Sequence, residues 1–154
     1  MTSVDQKLTE LGIHLPTPPE AVANYVPYVI IENMVIISGQ LPTEGGHVAF
    51  KGKVGTDLSL DDSQRAARLC AINILTQLKV ACEGDWSRVK RCVRLGGFVN
   101  CGPDFTDQPK VINGASDLMV DVFGDLGRHA RAAVGVNALP LGACVEIEAT
   151  FLIG

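Results

Sequence analysis

Residues 143–152 (ACVEIEATFL) constrain the fold more than any other part of the chain. Val145, Ile147, Ala149 and Phe151 alternate as apolar residues, and Cys144 and Leu152 put apolar atoms on the other side of the pleat. Successive side chains of a strand point to opposite faces, and a strand apolar on both faces is buried on both. Helices from the same chain can cover one face. The other is expected to meet another copy of the chain.

The remaining elements follow from periodicity. Val4, Leu8 and Leu11 mark a short amphipathic helix stopped by Gly12, after which Pro16, Pro18 and Pro19 hold the chain extended. Tyr25–Ile31 and Met34–Ser38 read as two strands joined at Glu32-Asn33, with the asparagine suited to the turn. Gly45-Gly46 and Gly52 punctuate a loop or short edge strand.

Ser59 is a good N-cap for a helix from Leu60 to about Cys82. Its apolar stripe is Leu60, Ala67, Ala71, Ile74, Leu75, Leu78 and Cys82, while Arg65, Arg68, Asn73 and Gln77 lie off it. Glu83-Gly84-Asp85 ends that helix. Val89–Val99 reads as a strand interrupted at Gly96-Gly97 by a bulge or a close backbone approach.

Asp107 and Pro109 open a second long helix, striped by Val111, Ile112, Ala115, Leu118, Met119, Val122 and Phe123 and closed by Gly124 and Gly127. Ala130–Val136 and Ala143–Leu152 are the last strands. Two helices on one face of a mixed sheet give an α+β domain. Residues 1–154 form one such domain, with 1–19 as an N-terminal helical extension.

A chain of 154 residues can bury roughly 70% of its unfolded surface without disulfides or metal. Hydrophobic residues make up 47% and charged residues 19%, an apolar balance that again favours a subunit interface. The longest strongly apolar stretch, Tyr25–Ile31, is too short for a bilayer, and no signal peptide is visible, so a cytoplasmic location is expected. A net charge of −4 argues against a nucleic-acid partner, and the Lys90, Arg91 and Arg94 cluster reads as a solvated strand face. Cys70, Cys82, Cys92, Cys101 and Cys144 form no CxxC and have no spacing relation to His14, His47 or His129. Buried reduced thiols are therefore expected, and no zinc site.

The chemistry points to Arg131 and a carboxylate pair. Arg131 stands among Ala130, Ala132 and Ala133 at the head of one apolar run, and Glu146 and Glu148 lie inside the next. If those runs are neighbouring strands, a cation and a carboxylate share one region, which suits a pocket for a small carboxylic acid. A guanidinium grips a carboxylate through two parallel hydrogen bonds. The competing structural explanation is an inter-strand ion pair of Arg131 with Glu146 or Glu148. Period two puts both glutamates on one face, so spacing does not choose between them.

Asn33-Met34-Val35-Ile36-Ile37-Ser38-Gly39-Gln40-Leu41-Pro42 resembles a strand-and-turn signature of the RidA/YjgF family. Arg131-Ala132-Ala133-Val134, Leu139-Pro140 and Val145-Glu146-Ile147-Glu148-Ala149 resemble its C-terminal signature. The likeness spans roughly residues 20–154. It implies a chorismate-mutase-like fold, a homotrimer with clefts between subunits, no cofactor, and hydrolytic deamination of reactive 2-enamine and 2-imine carboxylates to 2-oxo acids and ammonia. On this resemblance Arg131 holds the substrate carboxylate and Glu146 handles the attacking water. Tyr25 lines the cleft from the neighbouring subunit, and Gly39 and Asn113 are further cleft elements. Ala133 stands where many members have a cysteine, which excludes covalent thiol catalysis there but leaves its backbone amide as a donor. That departure, the N-terminal extension and the loop-rich segment Gly97–Gln108 mark a divergent subgroup. A non-catalytic trimer binding a small carboxylate metabolite is the alternative. The ribonuclease label often attached to the family fits poorly with the acidic charge.

Overall fold

The computed structural model describes residues 3–20 and 24–154. Helix α1 (Val4–Glu10) starts at a capping box, in which the Ser3 hydroxyl accepts from the Gln6 amide and the Gln6 side chain accepts from the Ser3 amide. Its buried face centres on Leu8. The Trp86 indole donates to Asp5 at 3.1 Å, which ties the extension to the body of the protein.

Strands β1 (Tyr28–Ile31) and β2 (Met34–Gln40) form the expected hairpin, with two differences. The first strand begins at Tyr28, so Tyr25 lies in the segment before it, where Pro27 withholds a ladder donor. The turn residue in the left-handed region is Glu32 (φ 53°), not Asn33. A small hairpin follows, β3 (Thr43–Glu44) and β4 (His47–Val48), turning at the predicted Gly45-Gly46.

Helix α2 (Leu60–Ala81) is capped by the Ser59 hydroxyl, which accepts from the Asp62 amide. Strand β5 (Val89–Asn100) runs one residue past the prediction, so only the later part of the Gly97–Gln108 segment is loop. Helix α3 (Gln108–Phe123) carries the predicted stripe, buried from Val111 to Val122. Strands β6 (Ala130–Val136) and β7 (Val145–Ile153) complete the chain.

The sheet order is β1-β2-β7-β5-β6, parallel only between β5 and β6. Helices α2 and α3 cover one face, as expected, over a core that extends from Leu8 to Ile153. The last two strands are not neighbours, because β5 lies between them. The pleat of β7 sends Val145, Ile147, Ala149, Phe151 and Ile153 into the core. Its other side carries Glu146, Glu148, Thr150 and Leu152, all at least partly accessible. One protomer thus leaves this face uncovered, and the cover expected for it is another copy of the chain. That uncovered face carries exposed Val29, Ile31, Ile36, Val134 and Leu152. No helix among the described residues is long and apolar enough to cross a membrane.

Two details were misjudged or left open from sequence, and the cysteines are as expected. Gly96-Gly97 causes no register shift; the shifts in β5 lie nearer its start, and a Cβ on Gly97 would collide with Ile112. Asn73 and Gln77, off the apolar stripe, are nevertheless buried. Asn73 Nδ2 donates to the carbonyls of Leu41 and Thr43 and to Thr43 Oγ1, pinning the chain that follows β2 onto α2. The five cysteines are free and buried, with burial raising Cys92 to about 12 and Cys144 to about 11.

Helices α2 and α3 meet at Gly114, where a Cβ would overlap the Gln64 backbone carbonyl. Gly114→Ala is expected to destabilise the fold by about 1–3 kcal/mol, the cost of overpacking a tight contact. Urea denaturation should show this as a lower midpoint with an unchanged slope.

Candidate functional site

The predicted residues fall into two groups, each built by different elements. The first surrounds Glu146. Between Ile37 and Gln40 the pairing of β2 with β7 shifts register, and the bulge brings Gly39 against the Glu146 side chain. A Cβ on Gly39 would sit 3.0 Å from both Cδ and Oε1 of Glu146, so this approach requires glycine or a displaced carboxylate. Glu146, Gly39 and Tyr25 line one cleft of about 460 Å³ together with Ser38, Gln40 and Gln77. Ser38 stabilises the rim of this cleft, its amide bonding the Pro27 carbonyl and its hydroxyl the Val26 carbonyl at 2.7 Å.

The carboxyl group of Glu146 is held above its ordinary value of 4.5, chiefly because burial penalises the charge and secondly because Glu148 repels it. Glu148 is more exposed and forms an ion pair with Arg94 at 3.8 Å. The two glutamates that spacing left equivalent are thus distinct. Glu146 is the half-buried one in the cleft, with its proton affinity raised, whereas Glu148 is the more exposed one on the strand face, paired with Arg94.

The second group surrounds Arg131. Register opposite Leu95 puts Arg131 on the helix side of edge strand β6. There Nη1 donates to Asn113 Oδ1 at 2.8 Å and to Ser116 Oγ at 3.1 Å, both on α3. Ser116 Oγ also lies 2.8 Å from His129 Nε2, and His129 Nδ1 is 2.6 Å from the Gly127 carbonyl. With the proton on Nδ1, that nitrogen donates to the Gly127 carbonyl, Nε2 accepts from the Ser116 hydroxyl, and the hydroxyl oxygen accepts from Arg131. Ala133 sits two residues further on the same side, half-buried against the core.

The expected inter-strand ion pair is not formed. Among the described residues, Arg131 has no carboxylate partner, and its outer nitrogens face solvent rather than either glutamate. Nor does one protomer gather cation and carboxylate into a single pocket. Glu146 pairs with Phe98 on the uncovered face of the sheet, and Arg131 lies on the helix face two strands away, roughly 10 Å laterally from strand spacing alone.

The structure therefore brings Tyr25, Gly39 and Glu146 together in one cleft and sets Arg131, Asn113 and Ala133 apart on the helix face. Three participants escaped the sequence. Ser116 and His129 could have been found by spacing, since Ser116 follows Asn113 by three on a helix and His129 stands immediately before β6, two residues from Arg131. Gln77 left only the weak sign of a polar residue beside an apolar stripe.

A family model described as YjgF/chorismate mutase-like, putative endoribonuclease, matches residues 5–149. Among curated proteins, Protein TCP17 of Trypanosoma cruzi is 47% identical over 147 residues, covering 95% of this chain and 91% of that one. A 2-iminobutanoate/2-iminopropanoate deaminase of Dermatophagoides farinae is 28% identical over 141 residues, covering 92% and 94%. The crystal structure of protein Atu1372 from Agrobacterium tumefaciens superposes with a TM-score of 0.92 at 50% identity, covering 98% of this chain and 92% of that one.

The raised proton affinity of Glu146 has a signed consequence for stability. The folded chain holds this proton more tightly than the unfolded one, so its contribution is complete below the ordinary value of 4.5 and declines as pH rises through the raised folded value. Glu146→Gln removes that decline. Melting temperatures of the variant and the unaltered protein should coincide near pH 4 and separate at pH 7, with the variant higher.

Proposed function

The chain belongs to the YjgF/chorismate mutase-like family, and from that premise we propose that it hydrolyses small 2-imino and 2-enamine carboxylates at clefts shared between protomers. The observation that carries this reading is the division of the site. A carboxyl group of raised proton affinity lines a cleft on one face, while a guanidinium with no carboxylate partner among the described residues stands at the sheet edge on the other. A neighbouring copy that brings its Arg131 edge to this cleft supplies the missing anchor. The exposed apolar residues of the uncovered face offer the surface for such an assembly, with Ile31 at 60% and Val134 at 46% exposure. A homotrimer closes this arrangement with three equivalent sites.

In the proposed reaction Arg131 of one protomer holds the substrate carboxylate by two parallel hydrogen bonds. Its orientation is set by Asn113 and Ser116, which occupy Nη1 and leave the rest of the guanidinium to the ligand. An enamine such as 2-aminoacrylate first tautomerises to the imine. Glu146 then takes a proton from water as the water oxygen bonds to the imine carbon, and the proton is delivered to nitrogen. The hydroxyl proton of this adduct then moves to the nitrogen as the carbon–nitrogen bond breaks, releasing ammonia and leaving a 2-oxo acid. A carboxyl shifted toward neutral pH serves both proton transfers better than an ordinary one. Tyr25, 61% exposed at the cleft mouth, is placed to donate its hydroxyl once a second copy covers it. The buried reduced thiols fit a cytoplasmic setting for this chemistry.

Imine formed by an amino-acid oxidase can be trapped by semicarbazide, and an active hydrolase lowers the trapped signal. Arg131→Ala and Glu146→Gln should each reduce kcat/KM by about a hundredfold or more, the scale of a lost general base or anchor. Refolding the two variants together tests the shared cleft. Random mixing rebuilds about a quarter of the intact sites in a cyclic assembly, so the mixture should regain activity that neither variant has alone. A stable monomer in sedimentation, or no regain on mixing, contradicts the reading. Ligand binding without any acceleration would instead identify a carboxylate-binding protein.

A further inference from the structure

The cleft beside Glu146 contains a polar group that the hydrolytic reading does not use. Gln77 is only 3% exposed, and its side chain bonds to no other described residue. No nitrogen or oxygen among the described side chains is sealed without a partner. The small remaining exposure of Gln77 therefore lies at its amide, and the amide opens into the cleft it lines. Nothing in the packing of α2 demands glutamine at this position, because its neighbours Ile74 and Leu78 are fully buried hydrocarbons. A leucine would fill the same helix position without leaving an amide unpaired.

The surrounding groups narrow what can pair with it. Gln40 Nε2 is taken by the Ser38 carbonyl at 3.0 Å, which leaves its own carbonyl oxygen as an acceptor toward the cleft. Glu146 and Glu20 line the same space, so an anionic side chain would meet like charge. The volume of about 460 Å³ far exceeds the needs of a three- or four-carbon imino acid. A neutral group that both donates and accepts matches the free carbonyl of Gln40 and the amide of Gln77.

We infer that Gln77 is a specificity-determining residue, and that the preferred substrates are 2-imino carboxylates whose side chain ends in a carboxamide. This rests on the hydrolytic reading of the same cleft. Glu146 acts on the imine carbon, and Gln77 receives the far end of the substrate. An aliphatic side chain strands the buried amide, whereas a carboxamide completes it by paired N–H···O bonds.

The test compares two imines generated in place, one from asparagine and one from norvaline, a chain of similar length that lacks the amide. The unaltered protein should favour the carboxamide imine by about tenfold or more in kcat/KM, a modest figure for a site built to pair a polar group. Gln77→Leu should bring the ratio close to unity, chiefly by lowering kcat/KM for the carboxamide imine. Gln77→Met serves the same purpose if the leucine variant does not fold. Hydrolysis of both imines at equal rates, or an unchanged ratio in a folded Gln77 variant, overturns this inference and leaves the hydrolytic reading standing. Failure to accelerate either imine overturns both.

Discussion

Strand β7 occupies the middle of the sheet, and the geometry of the site depends on its pleat. Because the helices cover one face only, each step along β7 alternates between dry core and the uncovered side. Ile147 is fully buried, and Glu146 and Glu148 on either side of it look the other way. A one-residue slip would bury both carboxylates under α2, at a cost no partner there offsets. Hydrocarbon at the odd positions thus fixes where the acid chemistry can be.

Against that strand, β2 bulges at the point where Gly39 meets Glu146. The bulge opens the sheet enough to form a cleft and brings backbone close enough to shed water from the carboxyl. Partial desolvation and the nearby Glu148 charge then act together to raise its proton affinity. The same segment is pinned from below by Asn73, whose three bonds to Leu41 and Thr43 replace the ladder lost past the bulge. Buried polar groups on α2 consequently divide their work. Asn73 Nδ2 is engaged by Leu41 and Thr43, whereas Gln77 one turn later opens into the cleft.

Much of this was legible in order of element strength. Both long helices appear where their stripes put them, because a 3.6-residue apolar period over many turns has few other solutions. The cap at Ser59 is a local hydrogen bond and needs no distant information. Turn conformation was harder to read. Glu32, not Asn33, takes the left-handed conformation, since the pairing of Ile31 with Met34 fixes which residue must do so. Glu146 and Glu148 could not be separated along the chain, because their difference arises from Gly39 and Arg94, which approach from other strands.

The sequence alone determined an α+β chain with two amphipathic helices, a hairpin, buried thiols, and a set of polar residues on the β6 and β7 runs. All of these depend on residue type and period within a short window. Tertiary structure decided that β5 separates β6 from β7, and that Arg131 and Glu146 stand on opposite faces of the sheet. Strand order is a contest among long-range pairings whose side-chain patterns look alike from any one segment. Only the assembled sheet, with its parallel β5–β6 pair and one-sided helical cover, resolves which face each residue occupies.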